Sequence, residues 1–164
     1  VGIPEPIPAK ELIQLCAVDH ELFGRTFFPR AYRQQSPPFL READKLLWSR
    51  ANRYVALKLF RGSSKTTRLR VYTAKRIAYG LSHTILYISR SQGHSVKSVE
   101  WLKNSIDYNH NFAGAYGLKP GAKWTGEEIE IIHSVDEYPI RVIALGITGQ
   151  IRGFNVEDFR PDLI

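Results

Sequence analysis

Seven consecutive residues, Arg61, Gly62, Ser63, Ser64, Lys65, Thr66 and Thr67, bring two cations, one glycine and four hydroxyl side chains into one short stretch. An apolar run over residues 54–60 precedes them and an amphipathic helical pattern follows. Strand, tight loop of small residues, Lys-Thr and helix is the layout of a phosphate-binding loop. Main-chain N–H groups and a helix N-terminus point at phosphate, the lysine neutralises it, and the threonine hydroxyl is a ligand for Mg²⁺. The general spacing is Gly-x-x-x-x-Gly-Lys-Ser/Thr. Here Lys65 and Thr66 are kept, Leu59 and Ser64 stand where the two glycines would be, and Gly62 is the loop's own glycine. Arg61 and Lys65 would repel each other across so short a loop without an anion between them. The competing reading is an ordinary basic turn.

The elements that must position this loop follow from hydrophobic periodicity. Pro4, Pro6 and Pro8 make an extended lead-in. Residues 9–23 read as a helix, with Leu12, Leu15, Cys16, Asp19 and Phe23 at three- and four-residue spacings. Prolines 29, 37 and 38 break that pattern, and residues 39–49 read as a second helix with Leu40, Ala43, Leu46 and Leu47 on one face. The run 54–60 suits a strand buried on both faces. In the helix over 66–79, Val71, Ala74, Ala78 and Leu81 share a face and Gly80 is a C-terminal cap. A strand at 84–89, a helix at 95–108 and a loop at 109–126 come next. A half-exposed strand at 128–132, a strand at 140–145 and the start of another at 162–164 complete the chain. This alternation predicts an α/β fold with a mainly parallel sheet and helices on both faces. Residues 1–40 form a lead-in or lid segment and residues 41–164 the core.

The net charge of +7 is unevenly placed. Residues 41–76 carry eleven Lys/Arg against two Asp/Glu, and residues 127–162 carry three against eight. The basic block surrounds the loop. Part of it serves the loop, and the remainder either faces a polyanion such as DNA or is a solvated helix face. A single cysteine, Cys16, excludes an internal disulfide and suits a reducing compartment. No apolar run approaches the ~18 residues of a membrane span, and the proline-rich start does not read as a secretory signal. The chain has no methionine, and residues 160–164 read as a strand just begun, so a piece of a longer protein is expected. His20, His83, His94, His110 and His133 show no metal-ligand spacing among themselves or with Cys16. Ser91 and Ser95 lack a nucleophile-elbow pattern, and Trp48, Trp101 and Trp124 read as packing residues.

Several segments, in order, point to one family. They are Arg53-Tyr54-Val55-Ala56-Leu57-Lys58-Leu59-Phe60 running into the loop, and Phe27-Phe28-Pro29 followed by Pro37-Pro38-Phe39. Ile85-Leu86-Tyr87-Ile88-Ser89-Arg90-Ser91 follows, then Gly146-Ile147-Thr148-Gly149-Gln150-Ile151-Arg152-Gly153, and last Arg160-Pro161-Asp162-Leu163-Ile164. Together, over about residues 19–164, they resemble the ATPase domain of the large terminase subunit of tailed bacteriophages. The resemblance implies a P-loop NTPase-type core of the ASCE class, incomplete at its C-terminus, with ATP and Mg²⁺ as cofactors. In it Lys65 contacts the β- and γ-phosphates, Thr66 holds Mg²⁺, and the N–H groups from Gly62 to Thr67 cradle phosphate. Arg61 contacts the γ-phosphate or reports its presence to the sheet. Arg152 is either an arginine finger reaching a neighbour's nucleotide or a salt-bridge partner of the acidic C-terminal third. Gln34 and Gln35 either touch adenine or belong to a solvated loop.

The family's metal-binding aspartate and water-activating glutamate would follow Ile164. Asp162, lying before the apolar run of its strand, is not assigned to that role. The 164 residues alone are therefore expected to bind nucleotide poorly and hydrolyse little. The implied partners are double-stranded DNA, a portal protein, a small terminase subunit and further copies in a homo-oligomeric ring. The implied place is the host cytoplasm at the procapsid portal vertex, with a nuclease in a further C-terminal domain. Two other readings stay open. One is a helicase-like ATPase with its motifs beyond Ile164. The other is a non-catalytic nucleic-acid or assembly module with a relic loop, which the missing glycines favour and Lys65-Thr66 opposes.

Overall fold

The computed structural model of the chain describes residues 8–135, 138–147 and 160–164. The described residues cluster into two compact units whose boundary falls between Tyr72 and Thr73.

The first unit holds α1 (Ala9–Val18), α2 (His20–Phe27), α3 (Pro38–Trp48) and the first half of α4 (Lys65–Ala78). The single helix expected over 9–23 is two helices. Asp19 adopts extended backbone, and its carboxylate accepts the Leu22 N–H at 3.0 Å, ending α1 and capping α2. An aspartate's local hydrogen bond to the main chain competes with helix continuation, and here it wins. The apolar core gathers Cys16, Phe23, Phe27, Phe28, Tyr32, Leu40 and Ala43. Gly24 lets Tyr32 lie directly on α2, since a Cβ at Gly24 would sit 2.4 Å from the tyrosine ring. Pro38 occupies the first turn of α3, where its missing N–H costs nothing. The helix buries Leu40, Ala43 and Asp44, while Leu46, expected inside, is 45% exposed.

The strand expected over 54–60 joins no ladder. Tyr54 is 87% and Phe60 66% exposed, and only Leu57 and Leu59 are half-buried. An apolar run becomes a buried strand only when neighbouring strands take up its N–H and C=O groups. Among the described residues no strand of this unit offers such an edge, because the four strands seen there belong to the second unit.

The second unit contains the rest of α4, β1 (Thr84–Ser89), α5 (Gln92–Asp107), α6 (His110–Tyr116), β2 (Leu118–Trp124), β3 (Glu128–His133) and β4 (Ile140–Gly146). Gly80 ends α4 as expected, with φ +60°. Its N–H donates to Ile77 O and the Leu81 N–H to Arg76 O, which closes the last carbonyls of the helix. Leu81 itself is exposed rather than on the buried face. The sheet order is β1-β4-β3-β2. Among these four strands β1–β4 is the parallel pair, while β4–β3 and β3–β2 are antiparallel. The expectation of a mainly parallel sheet is therefore corrected to a mixed sheet within an α/β fold. A parallel return needs a crossover of about a dozen residues or more. The links 125–127 and 134–139 are far shorter, so they turn the chain back on itself.

Ile85, Ile129, Ile131, Ile140 and Val142 are buried in the sheet, and α5, which buries Val99 and Leu102, packs on β1 and β4. The segment 109–126, expected as loop, contains α6 and β2. Asn109 caps α6 by accepting the Phe112 N–H at 3.2 Å, and Gly117 ends it at φ +62°. β2 has little strand propensity of its own. It forms because β3 supplies the ladder, and its position at the sheet edge tolerates Pro120. Residues 162–164 do begin to pair with β1. Ile85 and Leu163 form a parallel bridge, and the Leu86 N–H donates to Leu163 O at 2.9 Å. Among the described residues no helix is long and apolar enough to cross a membrane.

Candidate functional site

The loop that opens α4 is built from alternating backbone conformations. The Ser63 N–H turns back to Phe60 O at 3.3 Å, Gly62 has φ +86° and Ser64 has φ +60°. Ser64 is the one non-glycine residue with positive φ among the described residues. That region is sterically costly for a residue with a Cβ. It is also the position where a phosphate-loop pattern carries its second glycine. Backbone that alternates in this way is an ingredient of an anion nest, but the Ser63 N–H is already taken by Phe60 O, so it is not among the free donors expected from Gly62 to Thr67.

α4 starts at Lys65. The Arg68 N–H is the first to find a main-chain acceptor, Ser64 O at 3.0 Å. The N–H groups of Lys65, Thr66 and Thr67 are therefore the helix's unpaired first-turn donors. Arg61, Gly62, Ser64 and Thr66 are exposed, and Lys65 and Thr67 are half-buried. Ser63 is only 5% exposed, and its Oγ has no hydrogen-bond partner. A buried hydroxyl without a partner is uncommon. The structure thus brings Arg61 to Thr67 together at one helix start, while Arg152 lies outside the described residues, as do Pro4 and Pro6.

Behind the loop is a buried ionic cluster that periodicity did not reveal. Arg68, 7% exposed, donates from Nη1 to Asp44 Oδ2 at 2.6 Å and from Nη2 to Ser36 Oγ. The same Nη2 lies 3.6 Å from Glu21 Oε2, and the guanidinium carbon sits 4.4 Å from the centre of the Tyr32 ring. The Ser36 N–H donates to Glu21 Oε1 at 3.1 Å. Burial alone would raise the Glu21 carboxyl. The Ser36 hydroxyl and N–H, the charge of Arg68 and the hydrogen bond from Arg25 outweigh it and hold the carboxyl below its ordinary value. Burial pushes the Tyr32 phenol up. The sequence held one sign of this cluster. Arg68 falls on the buried stripe of α4 beside Val71 and Tyr72, where a charge needs a partner.

Gln34 and Gln35 are both exposed, and Gln35 lines a cleft of about 680 Å³ in the first unit together with Arg25, Arg33, Arg41, Asp19 and Glu21. Several other polar residues singled out in the sequence make structural hydrogen bonds. Ser95 Oγ donates to Leu145 O at 2.6 Å and ties α5 to β4. Asp162 accepts the His83 N–H at 2.7 Å. His133 accepts the Val135 N–H at Nδ1, so Nε2 carries its proton and donates to Ala78 O at 2.9 Å. Trp124 donates to Asp107. Among the described residues no group of three or more His, Cys, Asp or Glu side chains could hold a metal ion. Comparison with protein-family models, curated proteins and solved structures finds no match.

Proposed function

We propose that the loop from Arg61 to Thr67 holds the phosphate chain of ATP and that the chain is the ATPase portion of a DNA-packaging terminase large subunit. The observation that carries the phosphate reading is the Ser63 hydroxyl, buried and unpartnered beside two left-handed residues and three unpaired first-turn N–H groups. Leaving such a hydroxyl without a hydrogen bond costs about 1–3 kcal/mol. Phosphate oxygens would accept from it and from the N–H groups at once, and the Lys65 ammonium would neutralise them. The donor set also fits Mg²⁺ in part. The exposed Thr66 hydroxyl offers one ligand, and phosphate and water would supply the others. When bound, the ion neutralises charge on the β- and γ-oxygens.

The terminase assignment rests on the sequence resemblance. It is supported by a run of exposed cations in the first unit, Arg41, Lys45, Arg50, Arg53, Lys58 and Arg61, suited to a DNA backbone. In this reading the ring, the portal and the small subunit are the protein partners, and Arg152 acts on a neighbour's nucleotide. The unladdered segment 54–60 favours the second reading, a non-catalytic nucleic-acid or assembly module with a relic loop.

Steady-state ATP hydrolysis by the intact protein, with and without DNA, separates the two. Lys65→Ala is expected to abolish turnover while leaving the circular dichroism spectrum unchanged, because a half-buried lysine at a helix start contributes little to packing. Undiminished turnover in the folded variant would sink the ATPase assignment.

A further inference from the structure

The loop's N–H donors can serve an anion only if the first turn of α4 is held in one orientation. The residue that ends this turn is Arg68. Its N–H closes the turn on Ser64 O, and its side chain runs the other way, into the buried cluster. There it reaches three separate pieces of chain: Glu21 on α2, Tyr32 and Ser36 in the connection after it, and Asp44 on α3. A guanidinium is planar and its donors leave in fixed directions, so three anchors at once define how the group is turned. Lys65 lies one turn away along the helix, about 4.5 Å at ~1.5 Å per residue, so any tilt at Arg68 reaches the donors.

Stability is a poor explanation for the cluster. A buried ion pair contributes about as much as a well-packed apolar side chain of the same size, or less. What an apolar side chain cannot supply is a fixed direction. We propose that Arg68 is a positioning residue: its clamp between Asp44, Ser36, Glu21 and Tyr32 sets the orientation of the Lys65–Thr67 N–H groups before an anion arrives. This rests on the phosphate reading of the loop. It adds to that reading a second set of residues, none of which touches the ligand.

The test uses inorganic pyrophosphate and Mg·ATP as probes, titrated by calorimetry below the melting transition of every variant. Arg68→Met keeps the length and removes the fork. Asp44→Asn keeps the shape and removes one anchor's charge, and it serves if the methionine variant does not fold. Each folded variant is expected to bind both probes about tenfold or more weakly, since a misplacement near 1 Å costs on the order of a hundredfold where geometry matters. Arg68→Lys is expected to restore part of the affinity. The amide resonances of Lys65, Thr66 and Thr67 in the ligand-free protein are expected to move in each variant, which a role in stability alone would not cause. Binding that depends on Lys65 but is unchanged in a folded Arg68→Met or Asp44→Asn protein overturns this inference and leaves the phosphate reading standing. No binding of either probe by the intact wild-type protein overturns both.

Discussion

Ser64 carries the backbone strain of the loop. Its φ of +60° is a conformation that glycine adopts freely and serine does not. Holding it costs of order 1–3 kcal/mol, and such outliers gather at ligand sites. Ser64→Gly is therefore expected to stabilise the protein by about 1 kcal/mol after allowing for the glycine's extra freedom in the unfolded chain. At this size that raises the melting temperature by roughly 2–4 °C. Phosphate affinity should be kept, because Ser64 offers its N–H rather than its side chain. A lower melting temperature would mean that the serine is not strained. At this scale spacing alone picked out Lys65, Thr66 and the small residues as a loop at a helix start, and α4 does begin at Lys65. The burial of Ser63 and the partners of Arg68 were not legible there. Both are set by tertiary structure, and Arg68 meets partners 24 and 32 residues away in the sequence.

Elements with strong local signals appear where periodicity put them: β1 over 84–89, β3, β4, and α4 with its Gly80 cap. Those decided by one side chain or by a neighbour were not legible in the same way. Asp19 divides a continuous apolar pattern in two. α6 had readable ends, Asn109 and Gly117, but only seven residues between them. β2 exists because β3 lies beside it. The contact of α2 with Tyr32 likewise needed the structure, and it yields a prediction. The Tyr32 ring cannot swing away from Gly24, because its hydroxyl lies 3.2 Å from His20 Nε2 and its face is covered by Arg68. Gly24→Ala should therefore destabilise the protein, even though alanine favours the helix by up to about 1 kcal/mol. Overpacking costs roughly 1–3 kcal/mol, so the net loss is expected near 1 kcal/mol and should appear as a lower urea midpoint. A midpoint equal to or above that of wild type would show that the ring does move.

Across the whole molecule, the alternation of helices and strands identified the α/β class, but it did not fix strand direction. The deciding quantity was link length. The short links flanking β3 exclude crossovers, and they were present in the sequence. The run 54–60 shows the converse limit, because apolar composition describes what a segment could bury and not whether an edge exists to receive it. Of the basic block, Arg68 and Lys75 are buried, while the exposed cations from Arg41 to Arg61 lie in the first unit with the loop. The central claim is that this loop binds phosphate. Its most direct measurement is a titration of the intact protein with Mg·ATP, and separately with pyrophosphate, followed through the backbone amide resonances. The account predicts saturable shifts at the amides of residues 63–67, the same residues for both ligands, and their loss in Lys65→Ala. Saturable shifts confined to other residues, or none at 63–67, would contradict it.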